Sequence, residues 1–191
     1  MKHLIALLLI AFSSNTFANT ERKSSFSYSM PSLEVGFRWA SANIVGADSN
    51  KQVLGFEVGG STVFNLNETF GIRTGLFYVE RPFESSTILS TSNIKGKLTY
   101  FDIPVHLMFK LEDYAGIYLG PSVSFKLSDD INNGLKLDKI KTSVIPLTFG
   151  AQFKFAPNFG LNIYFESVSG ELAQGLENSR AVGANLMIAF D

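Results

Sequence analysis

The chain has no cysteine. Disulfide scaffolds, thiolate metal sites, cysteine nucleophiles and lipid attachment through cysteine are therefore excluded. Charge is scarce as well: Asp, Glu, Lys and Arg make up 17% of the residues, with a formal net charge of −1. That balance removes the electrostatic reason to expect nucleic-acid binding. No stretch approaches the run of about twenty apolar residues that a membrane-spanning helix needs. Histidine is confined to His3 and His106, and neither a phosphate loop nor a dinucleotide fingerprint occurs, so no cofactor is expected. What is present is 46% hydrophobic residues, with 18 Phe beside 16 Gly. This is too apolar and too weakly charged for a disordered chain, and 191 residues suit one domain or two small ones.

Residues 1–18 look like an address. Lys2 supplies a positive start, residues 4–12 form a short apolar run, and Thr16-Phe17-Ala18 places small residues, Thr16 and Ala18, at the two positions a signal peptidase reads. The run is too short to cross a bilayer. The expected organisation is a signal peptide over 1–18, a short periplasmic segment over 19–31, and one folded domain over 32–191.

From residue 33 onward, apolar and polar residues alternate in eight segments: 33–40, 54–64, 70–78, 100–109, 116–126, 145–155, 161–166 and 182–190. A period of two sustained over about ten residues is the signature of a β-strand. The connections alternate as well. Residues 65–69, 110–114 and 156–158 are short turns; 43–52, 81–96, 128–141 and 169–179 are longer and polar. This pattern predicts an all-β fold: an eight-stranded antiparallel up-and-down transmembrane β-barrel with short periplasmic turns and longer extracellular loops.

Alternation alone does not say which face is wet, because a soluble lipocalin-like barrel binding apolar ligands inside would alternate too. The polar parity carries Gly36, Gly55, Gly59, Gly71, Gly75, Gly116, Gly120, Gly150 and Gly183, which a solvated face does not need but a narrow interior does. The apolar parity holds more Phe than an eight-stranded interior could contain. Phe64, Phe70, Phe109, Phe155, Phe159 and Phe190 lie beside short turns or the last strand's end, as a periplasmic aromatic girdle requires. Trp39, Tyr78 and Phe125 suit the opposite girdle.

The polar parity then lines the lumen. It holds the acids Glu34, Glu57, Asp102 and Glu166 and the bases Arg38, Arg73, Lys126 and Lys154. Equal numbers suggest a mutually neutralising structural network, since unpaired buried charges are costly. Tyr100, Tyr118, Tyr164, Gln152, Asn162 and Asn185 would fill the gaps and plug the lumen. Pro104, Pro121 and Pro146 fall inside strands, where each removes a ladder donor, so bulges or local irregularity are expected there.

The runs Tyr100-Phe101-Asp102-Ile103-Pro104-Val105 and Ile117-Tyr118-Leu119-Gly120-Pro121 resemble the PorT-like outer-membrane β-barrel domain family, as does the glycine spacing at Gly55, Gly59, Gly60, Gly71 and Gly75. The resemblance covers nearly all of the chain after residue 18. It implies an OmpA/OmpX-like eight-stranded barrel in the outer membrane of a Gram-negative-type bacterium, and it carries no functional residues across. The final strand, with Gly183, Leu186, Ile188 and Phe190, resembles the signal recognised by the barrel-assembly machinery.

An enzymatic role finds little support. His106 is the sole histidine after residue 18, lacks the His-x-Ser pattern of lipid A deacylases, and sits four residues from Asp102 along a strand. It reads as a satisfied interior histidine. Asp129, Asp130, Asn132 and Asn133 gather oxygens in a loop without calcium-loop spacing, so no metal site is expected. The expected function is a non-enzymatic structural or surface-interaction protein. Its loops 81–96 and 128–141 would meet outer-membrane lipid, lipopolysaccharide or an unidentified surface or envelope protein. A narrow solute or ion channel and the soluble lipocalin-like binder are the alternatives.

Overall fold

The computed structural model describes residues 31–45, 49–86, 94–112, 114–131 and 137–190. Residues 1–18 and 19–30 lie outside it, as do Asn132 and Asn133. In chain order the strands are β1 (Ser32–Ile44), β2 (Ser49–Lys51), β3 (Val53–Asn65), β4 (Phe70–Ser86), β5 (Ile94–Glu112), β6 (Ala115–Ile131), β7 (Ser143–Val144), β8 (Leu147–Ala156), β9 (Phe159–Ser167), β10 (Glu171–Ala173) and β11 (Leu176–Ala189). Eight of them form the wall in the order β1-β3-β4-β5-β6-β8-β9-β11, and β1 pairs back onto β11 with Ser32 opposite Ala189. Every wall pairing is antiparallel. The short strands add to this wall: β2 pairs with β4, β7 with β6 and β10 with β11. Closure leaves no free edge running the height of the sheet, which is how a β-structure satisfies its backbone where water is absent.

The short connections at one end are tight. Asn67 Oδ1 accepts from the backbone N–H groups of Thr69 (2.8 Å) and Phe70 (2.7 Å), so a side chain closes the β3–β4 turn.

The apolar parity points outward. Phe37 (53% exposed), Phe149 (54%) and Leu119 (52%) lie on the outer surface, while Glu34 and Arg38 are fully enclosed (0%). This is the reverse of a lipocalin, and the lipocalin alternative falls with it. All six residues read as the periplasmic girdle, Phe64, Phe70, Phe109, Phe155, Phe159 and Phe190, are exposed on the outer face near the short-turn end. Trp39, Tyr78 and Phe125 are exposed on the outer face toward the other end.

Several strands run beyond the alternating stretches. β4 continues to Ser86 and β5 begins at Ile94, so much of the expected loop 81–96 is a strand pair with Arg81 opposite Leu98 and Glu84 opposite Lys95. β6 likewise reaches Ile131, which places Asp129 and Asp130 on a strand. The physical reason is that the outer face need be apolar only at lipid depth. Above it Glu80, Glu84, Lys95 and Lys97 turn outward on extended backbone, and the hydrophobic period vanishes while the strand does not. β5, with 19 residues, far exceeds the roughly ten that a tilted strand needs to cross a bilayer.

The prolines are accommodated without bulges. Pairing lapses between Thr74↔Val105 and Phe77↔Asp102, between Pro104↔Ser122 and Leu107↔Leu119, and between Pro121↔Leu147 and Ser124↔Val144. Register is the same on both sides of each lapse. Pro146 thereby divides one wall strand into β7 and β8.

Candidate functional site

The interior is built in three layers. The central layer is polar, because the inward parity of β1, β3, β4, β5 and β9 carries charge there and β11 adds the amide of Asn185. Glu34 accepts from Arg73 Nη2 (2.6 Å), Asn162 Nδ2 (2.8 Å) and the Ser61 hydroxyl. Glu57 accepts from Asn185 Nδ2 (2.7 Å) and from the Tyr164 hydroxyl, and lies 3.6 Å from Arg38 Nη1. Glu166 accepts from Arg38 Nη2 (2.5 Å) and from Arg81 Nη2 (3.1 Å). Asp102 takes two bonds from Arg81, at 3.2 and 2.7 Å. Such forked, charge-assisted contacts are the strong kind of hydrogen bond. Rings pack between the charges: Tyr118 lies under the Arg73 guanidinium at 4.7 Å, and Tyr100 under that of Arg81 at 4.9 Å.

Glycine makes this density possible. A Cβ on Gly183 would stand 2.2 Å from the Tyr164 ring, and one on Gly150 would stand 2.4 Å from the Tyr118 ring. Each tyrosine lies flat across a glycine of the neighbouring strand, which any larger residue would forbid.

Of the eight charged residues read from the sequence, the structure brings six together: Glu34, Arg38, Glu57, Arg73, Asp102 and Glu166. Lys126 is a correction. Its ammonium pairs with Asp129 at 2.7 Å, with about a quarter of the side chain exposed. The register shift between Thr99 and Tyr100 on β5 lies opposite this point. Lys154 is buried opposite Gly160, near the short-turn end. The base that the sequence reading missed is Arg81, assigned to a loop although it continues the inward parity of Arg73, Phe77 and Val79. Extending that parity past Tyr78 would have found it.

His106 stacks on Tyr118 (5.0 Å between ring centres, 6° between planes), and its Nε2 lies 3.3 Å from the Ser122 hydroxyl. Its Nδ1 has no protein partner. Asp102, its sequence neighbour on the same face, is engaged by Arg81 instead. His106 and Ser122 share a cavity of about 30 Å³ with Arg73, Pro104 and Thr148.

Two apolar layers bracket the charges. Toward the short turns, Val63 and Met108 pack with Tyr118 and Tyr164. Toward the long loops, Phe83, Leu98, Tyr100, Val144, Val168, Leu172 and Leu176 form a second core, with Leu137 and Ile140 folded onto it. Backbone bonds tie that cap together, from Lys141 N to Leu172 O (2.8 Å) and from Gln174 N to Asp138 O (3.0 Å).

On the outer wall above the aromatic residues, Glu84 is clamped between Lys51 and Lys95, each at 3.0 Å. Those two hydrogen bonds hold its carboxyl below the usual range. Lys97, bonded to Glu80 at 2.7 Å, is held above the usual lysine range by that carboxylate. Among the described residues, no group of three or more His, Cys, Asp or Glu is placed to hold a metal ion.

Residues 11–171 match the outer membrane protein beta-barrel domain family. Among solved structures, Neisserial surface protein A is similar with a TM-score of 0.53 at 16% identity, covering 84% of this chain and 97% of that one. Ail, the attachment invasion locus protein of Yersinia pestis, is similar with a TM-score of 0.47 at 15% identity, covering 84% of this chain and 99% of that one. At these identities the likeness is one of fold. No curated protein matches the chain.

Proposed function

Because the chain belongs to the outer membrane protein beta-barrel domain family, we propose that it serves the bacterial outer membrane as a non-enzymatic structural or surface-interaction protein with a plugged lumen. The observation that carries this reading is the interior layering: paired charges across the middle, with an apolar cap above them and an apolar layer below. A barrel so filled offers its environment only its rim and outer wall. Contacts with lipopolysaccharide, or with a surface or envelope protein, then fall to the protruding parts of β4, β5 and β6 and the segments that join them. The runs 100–105 and 117–121 support placement in the PorT-like branch. Export through a cleaved signal peptide over 1–18, and delivery by the barrel-assembly machinery reading the β11 end, complete the proposal.

The second reading, a narrow channel, is favoured by the polar cavity beside His106. Planar-bilayer recording on the refolded protein separates the two. The plugged barrel gives no steps above the bare-membrane baseline; reproducible unitary steps abolished by blocking the rim would establish the channel instead. Replacing the segments beyond Glu84 on β4 and before Lys97 on β5 with a tight turn should leave the barrel folded and remove adhesion to lipopolysaccharide-coated surfaces. Unchanged adhesion would remove these tips from the binding role.

A further inference from the structure

The three strand prolines are scattered in sequence but adjacent in space. Pro104 lies opposite Ser122 on β6, Pro146 precedes the β8 residue Leu147, and Leu147 lies opposite Pro121. The backbone N–H of Ser122 donates to the Pro146 carbonyl at 2.9 Å, which sets the bonding direction of each strand here. Ser122 faces Pro146, so Pro121 faces Val105, and Pro104 in turn faces Gly75. A proline returns no donor across such a pair. The carbonyls of Ser122, Val105 and Gly75 therefore each lose their ladder bond, and these are the places where pairing lapses. All three lie midway up the wall, between Phe70 and Phe109 at the short-turn end and Tyr78, Phe101 and Phe125 at the other. At that depth lipid offers a carbonyl nothing to bond with.

The inner side of the same patch is where the 30 Å³ cavity lies, lined by Pro104, His106, Ser122, Thr148 and Arg73. Two fully enclosed polar atoms on residues that line it, Arg73 Nε and His106 Nδ1, have no protein partner. The volume suits about two water molecules, and polar walls with unmet hydrogen-bonding groups are what keep such a cavity wet.

We propose that this cavity is a water-binding site at the middle of the membrane, and that the proline patch beside it is where the wall opens locally. Water there bonds Arg73 and His106 and stands in for the donors that Pro104, Pro121 and Pro146 lack. The pairs between β4 and β8 at this height break and re-form independently of the rest of the sheet. The opposite wall at the same height, with Ile163 paired to Ala184 and Ala184 to Phe37, has unbroken ladders and stays shut.

Amide hydrogen–deuterium exchange by NMR on the full chain refolded in phospholipid micelles tests this. The amides of Gly75, Val105 and Ser122 should exchange about 100-fold faster than those of Phe37, Ile163 and Ala184, as local opening beside a stable sheet requires. Direct magnetisation transfer from water to the Ser122 amide should be seen in the same sample. Pro104→Ala and Pro121→Ala return donors to Gly75 and Val105 and should slow their exchange by about tenfold or more. Equal protection around the barrel at this height would overturn the proposal, as would absence of water transfer to Ser122. Fast exchange that both alanine variants leave unchanged would overturn the role given to the prolines.

Discussion

Arg81 ties together groups from three other strands of the interior. Its guanidinium holds both oxygens of Asp102, reaches Glu166 and covers the Tyr100 ring. Removing one partner of a buried pair strands the other charges, at a cost of about 3–5 kcal/mol. Arg81→Leu should therefore lower the unfolding free energy in lipid vesicles by that amount in a urea titration. Lys126→Ala, which breaks a partly exposed pair, should cost less than about 1 kcal/mol. Equal losses would return Lys126 to the network. At the rim, the clamp on Glu84 has a definite pH sense. A carboxyl held below its usual range favours the folded arrangement above that range, and the contribution disappears as pH falls through the lowered value. Carbon-13 NMR of the Glu84 carboxyl should give a midpoint below the ordinary glutamate range, rising toward it in Lys51→Ala and Lys95→Ala. A midpoint that neither substitution moves would dismiss the clamp.

Strands were legible where two solvents meet at the wall and illegible where only one remains. Between Phe70 and Tyr78, lipid outside and packed polar groups inside impose opposite demands on alternate residues, and the period of two writes itself into the chain. Past Tyr78 both faces are polar or mixed, so Glu80 to Ser86 reads as a loop although the backbone stays extended. The same boundary hid Arg81 and lent Lys126 an inward place it does not keep. The mouth cap was illegible for a different reason: Leu137 and Ile140 precede β7 while Leu172 and Leu176 sit on β10 and β11, and nothing periodic announces that they meet. The cap has a test of its own. Leu172, 1% exposed, accepts the backbone N–H of Lys141 through its own carbonyl. Leu172→Asp should release this stretch and let externally added trypsin cut at Lys139 or Lys141 several times faster, while the two fragments stay together in the membrane. Unchanged cleavage would mean that the cap is held by something other than its apolar contacts.

At the scale of the molecule, a closed sheet of this kind resists detergent until heated, so the folded chain should migrate faster than the boiled one on a gel. Gly150→Val, which drives a side chain into the Tyr118 ring, should abolish the faster band. A retained band would show that the ring can move aside. The closed ring also has a consequence for how the chain is made. Glu34 stands on the first strand and is neutralised by Arg73 on the third wall strand, yet further donors to its carboxylate come from Asn162 on the seventh and Asn185 on the eighth. Until the last of these has been synthesised and delivered, an acid committed to the interior lacks part of its hydrogen-bond shell. A truncated copy leaves the Glu34 carboxylate short of donors, so the barrel checks its own completeness before it can settle: the first strand's interior bonds are finished only when the final one arrives.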